Sequence, residues 1–171
     1  MTTIVTHIEP DPKEPDLRVI STTDRGRLTV RNRDIDESEL REGDTLSSDD
    51  WDDLTRRHQI TLLRLRAIRS LSRAPASRAR LTARLTEHGT LDEIDRALDE
   101  LESDGILNDA AFAAQIVKER LRKQPVGREG IAQTLKKRGI TEAIIEETMQ
   151  ALIDCRDQRA DAEAAADMAM R

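Results

Sequence analysis

From Ser48 onward, apolar residues recur three and four positions apart through most of the chain. Leu54, Leu62, Leu63, Leu65, Ala67, Ile68 and Leu71 form a broad band, the mark of a long helix with one buried face. Ser48 supplies an N-cap hydroxyl, and Asp49, Asp50, Asp52 and Asp53 crowd the positive end of the helix dipole. Pro75 stops the run, because a residue before proline resists helical geometry. Ser77 then caps a short helix that carries Leu81 and Leu85 and closes at Gly89. A third helix, from about Leu91 to Ser103, turns Ile94, Leu98 and Leu101 inward.

The next stretch is a stop followed by a start. Gly105 suits the left-handed residue that ends a helix, and Ile106 and Leu107 are expected to fold back on its last turn. Asn108 caps a new helix, and Asp109 adds negative charge to its first turn. Phe112, the only phenylalanine, is expected to pack across this joint. Upstream of Ser48 the period is two. Leu17 to Ser21 and Arg27 to Arg31 predict a hairpin turning at Asp24-Arg25-Gly26, marginal unless it lies against something. Residues 1–16, with prolines at 10, 12 and 15 among acidic side chains, read as a disordered tail. Leu40, Gly43 and Leu46 punctuate an acidic connector that follows neither period.

A shift of fifty positions maps the pattern onto itself. Ala67, Leu71, Pro75, Ser77, Leu81, Leu85, Gly89 and Ile94 become Val117, Leu121, Pro125, Gly127, Ile131, Leu135, Gly139 and Ile144. Leu98 and Leu101 find Met149 and Leu152 one residue further on. Coincidence of proline, glycine and apolar positions identifies a repeated three-helix unit. The expected organisation is a disordered tail (1–16), a small β-hairpin extension and connector (17–47), and three-helix repeats at 48–104 and 105–153. Residues 154–171 would be the first helix of a third repeat, striped by Ala162, Ala165, Ala166 and Ala169. The fold class is mainly α, tandem three-helix repeats in an elongated curved array.

Composition agrees, with 1% aromatic and 36% charged residues. No apolar run is long enough for a membrane span, and no signal-peptide pattern opens the chain, so a cytoplasmic protein is expected. Cys155 stands alone, excluding an internal disulfide and a cysteine-rich zinc site. Charge changes the picture more. The net −6 conceals a block at 55–86 with nine arginines and no acid, and another at 118–138 with eight cations against two acids. Acidic blocks flank both, so an overall acidic protein still offers surfaces for an anionic partner.

His7, His58 and His88 are scattered and read as structural or solvent-facing; no catalytic group, metal or cofactor is expected, and the chain is not read as an enzyme. Gly127-Arg-Glu-Gly130 lacks the Lys-Ser/Thr ending of a phosphate loop and reads as a helix start. The candidates are basic: Arg66, Arg69 and Arg73 at i, i+3, i+7; Arg80 and Arg84 one turn apart; Lys118 and Arg122 on one face; and Arg128. Lys136, Lys137 and Arg138 join them, though a helix C-terminus favours cations in any case. Such runs are either solvated faces or contacts to an anion, and the first block has no acid nearby in sequence. Without aromatics to stack on bases, a nucleic-acid contact would be backbone-directed and salt-sensitive. The acidic faces at Glu93 to Asp104 and Glu142 to Asp157 suit a basic protein surface.

Four stretches together resemble the RecX family, bacterial regulators of the recombinase RecA built from tandem three-helix repeats. They are Ala67 to Pro75; Leu81 through Leu85 to Gly89; Gly105 to Asp109 with Phe112-Ala113; and Gly127 through Ile131 and Leu135 to Lys137-Arg-Gly-Ile140. The chain departs from the family in having Asn108-Asp109 where Asp-Asp is usual, and in a third repeat reduced to one helix. The resemblance implies a non-enzymatic, monomeric regulator that lies in the groove of RecA filaments, touching protein on one side and, on the other, the backbone phosphates of single- or double-stranded DNA. It would restrain filament growth, and with it ATP hydrolysis and strand exchange, in recombination, DNA repair and the SOS response. Two other readings stay open: a helical DNA-binding transcription regulator that uses its short basic second helices for recognition, and an adaptor for another protein.

Overall fold

The N-terminal strands form one antiparallel sheet of order β3-β2-β1-β4 in the computed structural model, which describes residues 3–123 and 127–151. These are β1 (Thr3–Pro10), β2 (Leu17–Thr22), β3 (Arg27–Arg31) and β4 (Thr45–Leu46). The expected disordered tail is therefore corrected: most of it is β1, an inner strand paired to β2 (Ile8 with Ile20) and to β4 (Thr3 with Leu46). Its prolines punctuate a turn instead of preventing order. Pro10 ends the strand, and Asp11 Oδ1 accepts from the amides of Lys13 (2.8 Å) and Glu14 (3.2 Å), closing a tight bend before Leu17. Buried Val5 supplies the apolar contact that holds the strand. The predicted hairpin is present as β2 and β3, and the acidic connector folds as α1 (Asn32–Ser38) followed by β4. Asp34 starts α1 by accepting from the amide of Arg31 (2.9 Å).

Helix α2 (Ser48–Arg73) is shared between two cores. Its N-cap is Ser47, one residue earlier than expected: Ser47 Oγ accepts from the Asp50 amide while Asp50 reaches back to the Ser47 amide. Leu54 packs with Val5, Ile20, Leu28, Val30 and Leu46 under the sheet, so it leaves the apolar band assigned to the first repeat. Further along, Ile60, Leu63 and Ala67 pack with residues of α3 (Arg78–Leu85) and α4 (Leu91–Ser103), including Leu81, Leu85, Ile94, Leu98 and Leu101. A third cluster joins α5 (Asp109–Lys123), α6 (Arg128–Lys137) and α7 (142–151) through Ala113, Val117, Ile131, Leu135, Ile145 and Met149. Pro125, Leu152 and the whole expected third repeat lie outside the described residues.

Gly105 has φ +71°, and the amides of Gly105 and Ile106 return to the carbonyls of Glu102 (3.0 Å) and Leu101 (2.9 Å), the paired bonds of a Schellman stop. Leu107 then enters the core, whereas Ile106 stays exposed. Gly139 repeats the device with φ +80°, the Ile140 amide returning to the Leu135 carbonyl (3.2 Å). Gly89, its counterpart fifty residues earlier, does not close α3, which ends at Leu85 with Thr86 as C-cap. Close packing requires glycine there instead, since a Cβ would lie 2.8 Å from Leu63 Cδ1. Phe112 packs against the cluster of its own repeat, not across the joint, because the facing surface is polar.

Candidate functional site

The nine arginines of the first basic block divide into those that hold the fold and those left for contact. Arg57 bridges Asp34 (3.3 Å), Glu37 (3.1 Å) and Asp53 (2.8 Å); Arg64 meets Asp104 (2.7 Å); and Arg78 meets Asp95 (3.2 Å), Asp99 (2.8 Å) and Glu102 (2.9 Å). Burial opposes the charges of Arg57 and Arg78, but the surrounding carboxylates more than offset it and raise both pKa values. Absence of acids nearby in sequence therefore does not leave the block unpartnered, because α4 and the N-terminal unit supply them. Much of the acidic face from Glu93 to Asp104 is consequently engaged inside the molecule: Arg31 pairs with Glu100 (3.0 Å) and Asp104 (3.3 Å), and Arg33 with Glu100. Of the second acidic face, Glu142 pairs with Lys136 (3.4 Å), and residues beyond 151 are outside the described set.

Arg66, Arg69 and Arg73 project from α2 and, with Arg84 of α3, line an open groove of about 520 Å3. Ala67, Leu81 and Leu85 lie beneath it and are nearly inaccessible (0%, 0% and 4% exposed), whereas Ser70, Ala74 and His88 share the accessible lining with the guanidinium groups. Arg84 Nη1 donates to Ser70 Oγ (2.7 Å), which holds its side chain along the groove. Among the described residues, none of the four forms an ion pair. Arg80 points elsewhere. Its Nη2 donates to the Lys137 carbonyl (2.9 Å) at the edge of a cleft of about 380 Å3 between α5 and α6, lined also by Glu119, Arg120, Thr134 and Arg138.

The two concavities are equivalent under the fifty-residue shift, since Arg66, Arg69, Ser70, Arg84 and His88 correspond to Ile116, Glu119, Arg120, Thr134 and Arg138. Each opens between the first and second helices of its repeat, but the second includes a carboxylate. Lys118, Arg122 and Arg128 are exposed on α5 and α6 and line neither groove. Arg120, missed in the sequence reading, joins the second one, a position only the repeat register would have indicated.

The joint between repeats is polar. Ser77, fully buried, donates to the Arg138 carbonyl (2.7 Å) and accepts from the Arg80 amide (3.4 Å). Asp109 accepts from the Arg78 amide (2.9 Å), so a residue in the first turn of α5 satisfies an exposed donor of α3, while Asn108 caps α5 through the Ala111 amide (2.8 Å). Burial raises the Asp109 pKa, and the hydrogen bond from Arg78 opposes that rise. The amides of Arg78 and Arg80 at the start of α3, the end a recognition helix presents to bases, are thus bonded within the molecule, while the side chains of Ala79 and Arg80 stay exposed.

His58 is structural, its Nδ1 accepting from the Thr29 amide (2.9 Å), and Gly127 starts α6 without a side-chain cap. Among the described residues, no group of three His, Cys, Asp or Glu side chains is placed to hold a metal, and no helix is long and apolar enough to cross a membrane.

Residues 108–149 match the family model described as the second three-helix domain of RecX. The chain is similar to the regulatory protein RecX of Mycolicibacterium smegmatis, 30% identical over 125 residues that cover 72% of this chain and 60% of the relative. It is also similar to the regulatory protein RecX of Chromohalobacter salexigens, 38% identical over 49% of this chain and 55% of the relative, and to that of Clostridioides difficile, 24% identical over 87% and 70%. The chain thus spans between about half and 60% of the length of the first curated relatives it matches. A crystal structure of regulatory protein RecX superposes with a TM-score of 0.70 at 19% identity, covering 88% of this chain and 74% of that one.

Proposed function

We propose that the chain is a member of the RecX family and a non-enzymatic regulator that binds RecA filaments on DNA and restrains their growth. The observation that carries this reading is the tandem arrangement of three-helix units, the second matching the family's own second domain. A filament is a repeating surface, and a chain with two equivalent units suits it: once one unit is seated, the other binds at a high effective concentration. Bridging neighbouring protomers, or blocking addition of the next, lowers ATP hydrolysis and strand exchange without any catalytic group. A cytoplasmic monomer acting in recombinational repair follows from the same reading. The rival transcription regulator finds little support, because the α3 end it would direct at bases is occupied by Ser77 and Asp109.

The test is RecA ATPase activity on single-stranded DNA, measured with increasing amounts of this protein, beside filament length by electron microscopy. Suppressed hydrolysis and shorter filaments are expected. Unchanged hydrolysis with filaments of unchanged length would overturn the reading.

A further inference from the structure

We infer that the two repeats are hinged on one another: the chain pivots at the single peptide between Leu107 and Asn108, and contacts of Ser77 and Arg80 with the end of α6 latch the hinge closed. Leu107 belongs to the first repeat, 3% exposed in its core, with its amide returning to the Leu101 carbonyl (3.0 Å). Asn108 belongs to the second, its side chain accepting from the Ala111 amide (2.8 Å) and its carbonyl from the Phe112 amide (3.0 Å). No residue of slack separates them. Rotation of one repeat on the other is therefore confined to the torsions on either side of one planar unit, and a hinge needs no more than such element-terminal residues.

What fixes the angle is polar. Among the described residues, the apolar cluster of the first repeat ends at Leu107 and that of the second starts at Ala113 with Phe112 against it, and no side chain belongs to both. Asp109, one residue from the pivot, accepts from the Arg78 amide (2.9 Å). The other two contacts reach α6: Ser77 Oγ donates to the Arg138 carbonyl (2.7 Å) and Arg80 Nη2 to the Lys137 carbonyl (2.9 Å). Both acceptors lie at the C-terminus of the helix, among the carbonyls it leaves without an internal partner and at the negative end of its dipole. Water takes over such bonds once the surfaces part, so opening exchanges one set of hydrogen bonds for another and uncovers neither apolar cluster. Gly139 lets the latch seat, because a Cβ there would lie 2.9 Å from Ser77 Oγ and 3.3 Å from Ala79 Cβ. The α2/α3 groove and helices α5 and α6 ride on opposite sides of the pivot. Opening thus changes the spacing of the surfaces the chain presents, and fits it to partner surfaces of different spacing.

The test is the distribution of distances between spin labels on the two repeats of the full chain, read by double electron–electron resonance. Labels are placed at D92C in α4 and E147C in α7, both exposed, with the only native thiol removed by C155S. The parent is expected to give one narrow distribution, and S77A/R80A one about twofold broader and displaced, with helicity by circular dichroism unchanged. Because Arg80 meets the negative end of the α6 dipole, the broadening should increase in the order R80K, R80A, R80E, a ranking by charge that a merely structural side chain would not give. Arg80 takes no part in capping α3 through its side chain, so R80E decides the matter by itself where loss of the Ser77 cap lowers helicity. Distributions of S77A/R80A and R80E that coincide with the parent's would overturn the proposal. So would a parent distribution already as broad as theirs. The measurement uses this chain alone, so its outcome is separate from that of the ATPase experiment.

Discussion

At the scale of single residues, the decisive groups are polar side chains that serve two elements at once. Asp109 was identified as a first-turn acid for α5, and it is one, but its carboxylate also accepts from the Arg78 amide at the start of α3. Burial raises its pKa above the ordinary carboxylate value. A raised folded pKa means that the folded state holds the proton more tightly than the unfolded chain. The contribution of Asp109 to stability is therefore fully present below the unfolded pKa and is lost as pH rises through the folded one. Asp109→Asn keeps an oxygen for Arg78 and removes the buried charge, whereas Asp109→Ala leaves that amide without its partner. In urea denaturation at pH 7 the alanine variant should be less stable than the asparagine variant by about 1–2 kcal/mol. The stability of the asparagine variant relative to the parent should decline as pH falls through the raised pKa. Equal stability of the two variants would show that the Arg78 amide does not depend on this acceptor.

At the scale of elements, what local rules specify was readable and what distant partners specify was not. The three helices of each repeat announce themselves because apolar spacing, capping residues and glycine stops act within one or two turns. β1 escaped notice because prolines 10, 12 and 15 carry the composition of a tail, while its order depends on pairing with β2 and β4. Gly89 and Gly139 look alike in sequence and are not: one makes room for Leu63, the other stands in the left-handed region and leaves space that Ser77 fills. This difference gives an ordered expectation. Gly105→Ala adds a side chain at φ +71° with nothing within 4 Å, so it should lose only the conformational term, about 1–2 kcal/mol. Gly139→Ala incurs that loss and also places Cβ 2.9 Å from Ser77 Oγ, adding an overpacking cost of about 1–3 kcal/mol and disturbing the bond from Ser77 to the Arg138 carbonyl. Thermal unfolding should rank the two variants in that order, and a Gly139→Ala protein as stable as Gly105→Ala would mean that the joint adapts freely.

At the scale of the whole molecule, three apolar clusters are connected by polar contacts and by one long helix. Which arginines would be free for a partner was only half readable. The candidates from the first block, Arg66, Arg69, Arg73, Arg80 and Arg84, form no ion pair among the described residues, but that Asp99 of α4 and Asp104 after it would pair with Arg78 and Arg64 is a tertiary fact with no local signal. The sheet unit docks on the first repeat through α2, through Arg31 against Glu100 and Asp104, and through Arg33 against Glu100, while Arg64 of α2 holds the same two carboxylates from within the repeat. The hydrogen bond from Arg64 holds the Asp104 pKa below its usual value; burial opposes the shift, and the charges of Arg31, Arg64 and Arg33 reinforce it. For a depressed pKa the sign is the reverse of Asp109: the stabilisation is present above the unfolded pKa and is lost as pH falls through the folded value. Asp104 is 31% exposed in its side chain, so solvent screens part of the interaction, and Asp104→Asn should cost about 1–2 kcal/mol at pH 7. Trp51 reports on this unit directly, because it packs against the sheet cluster with the Arg25 guanidinium 5.3 Å from its ring. Followed by Trp51 fluorescence, Asp104→Asn should unfold at lower urea than the parent at pH 7, and the gap should close as acid protonates Asp104. A gap that stays constant into acid would place the hold between sheet and repeat in the shared helix alone, and the ion pairs would then be a consequence of docking and not part of its cause.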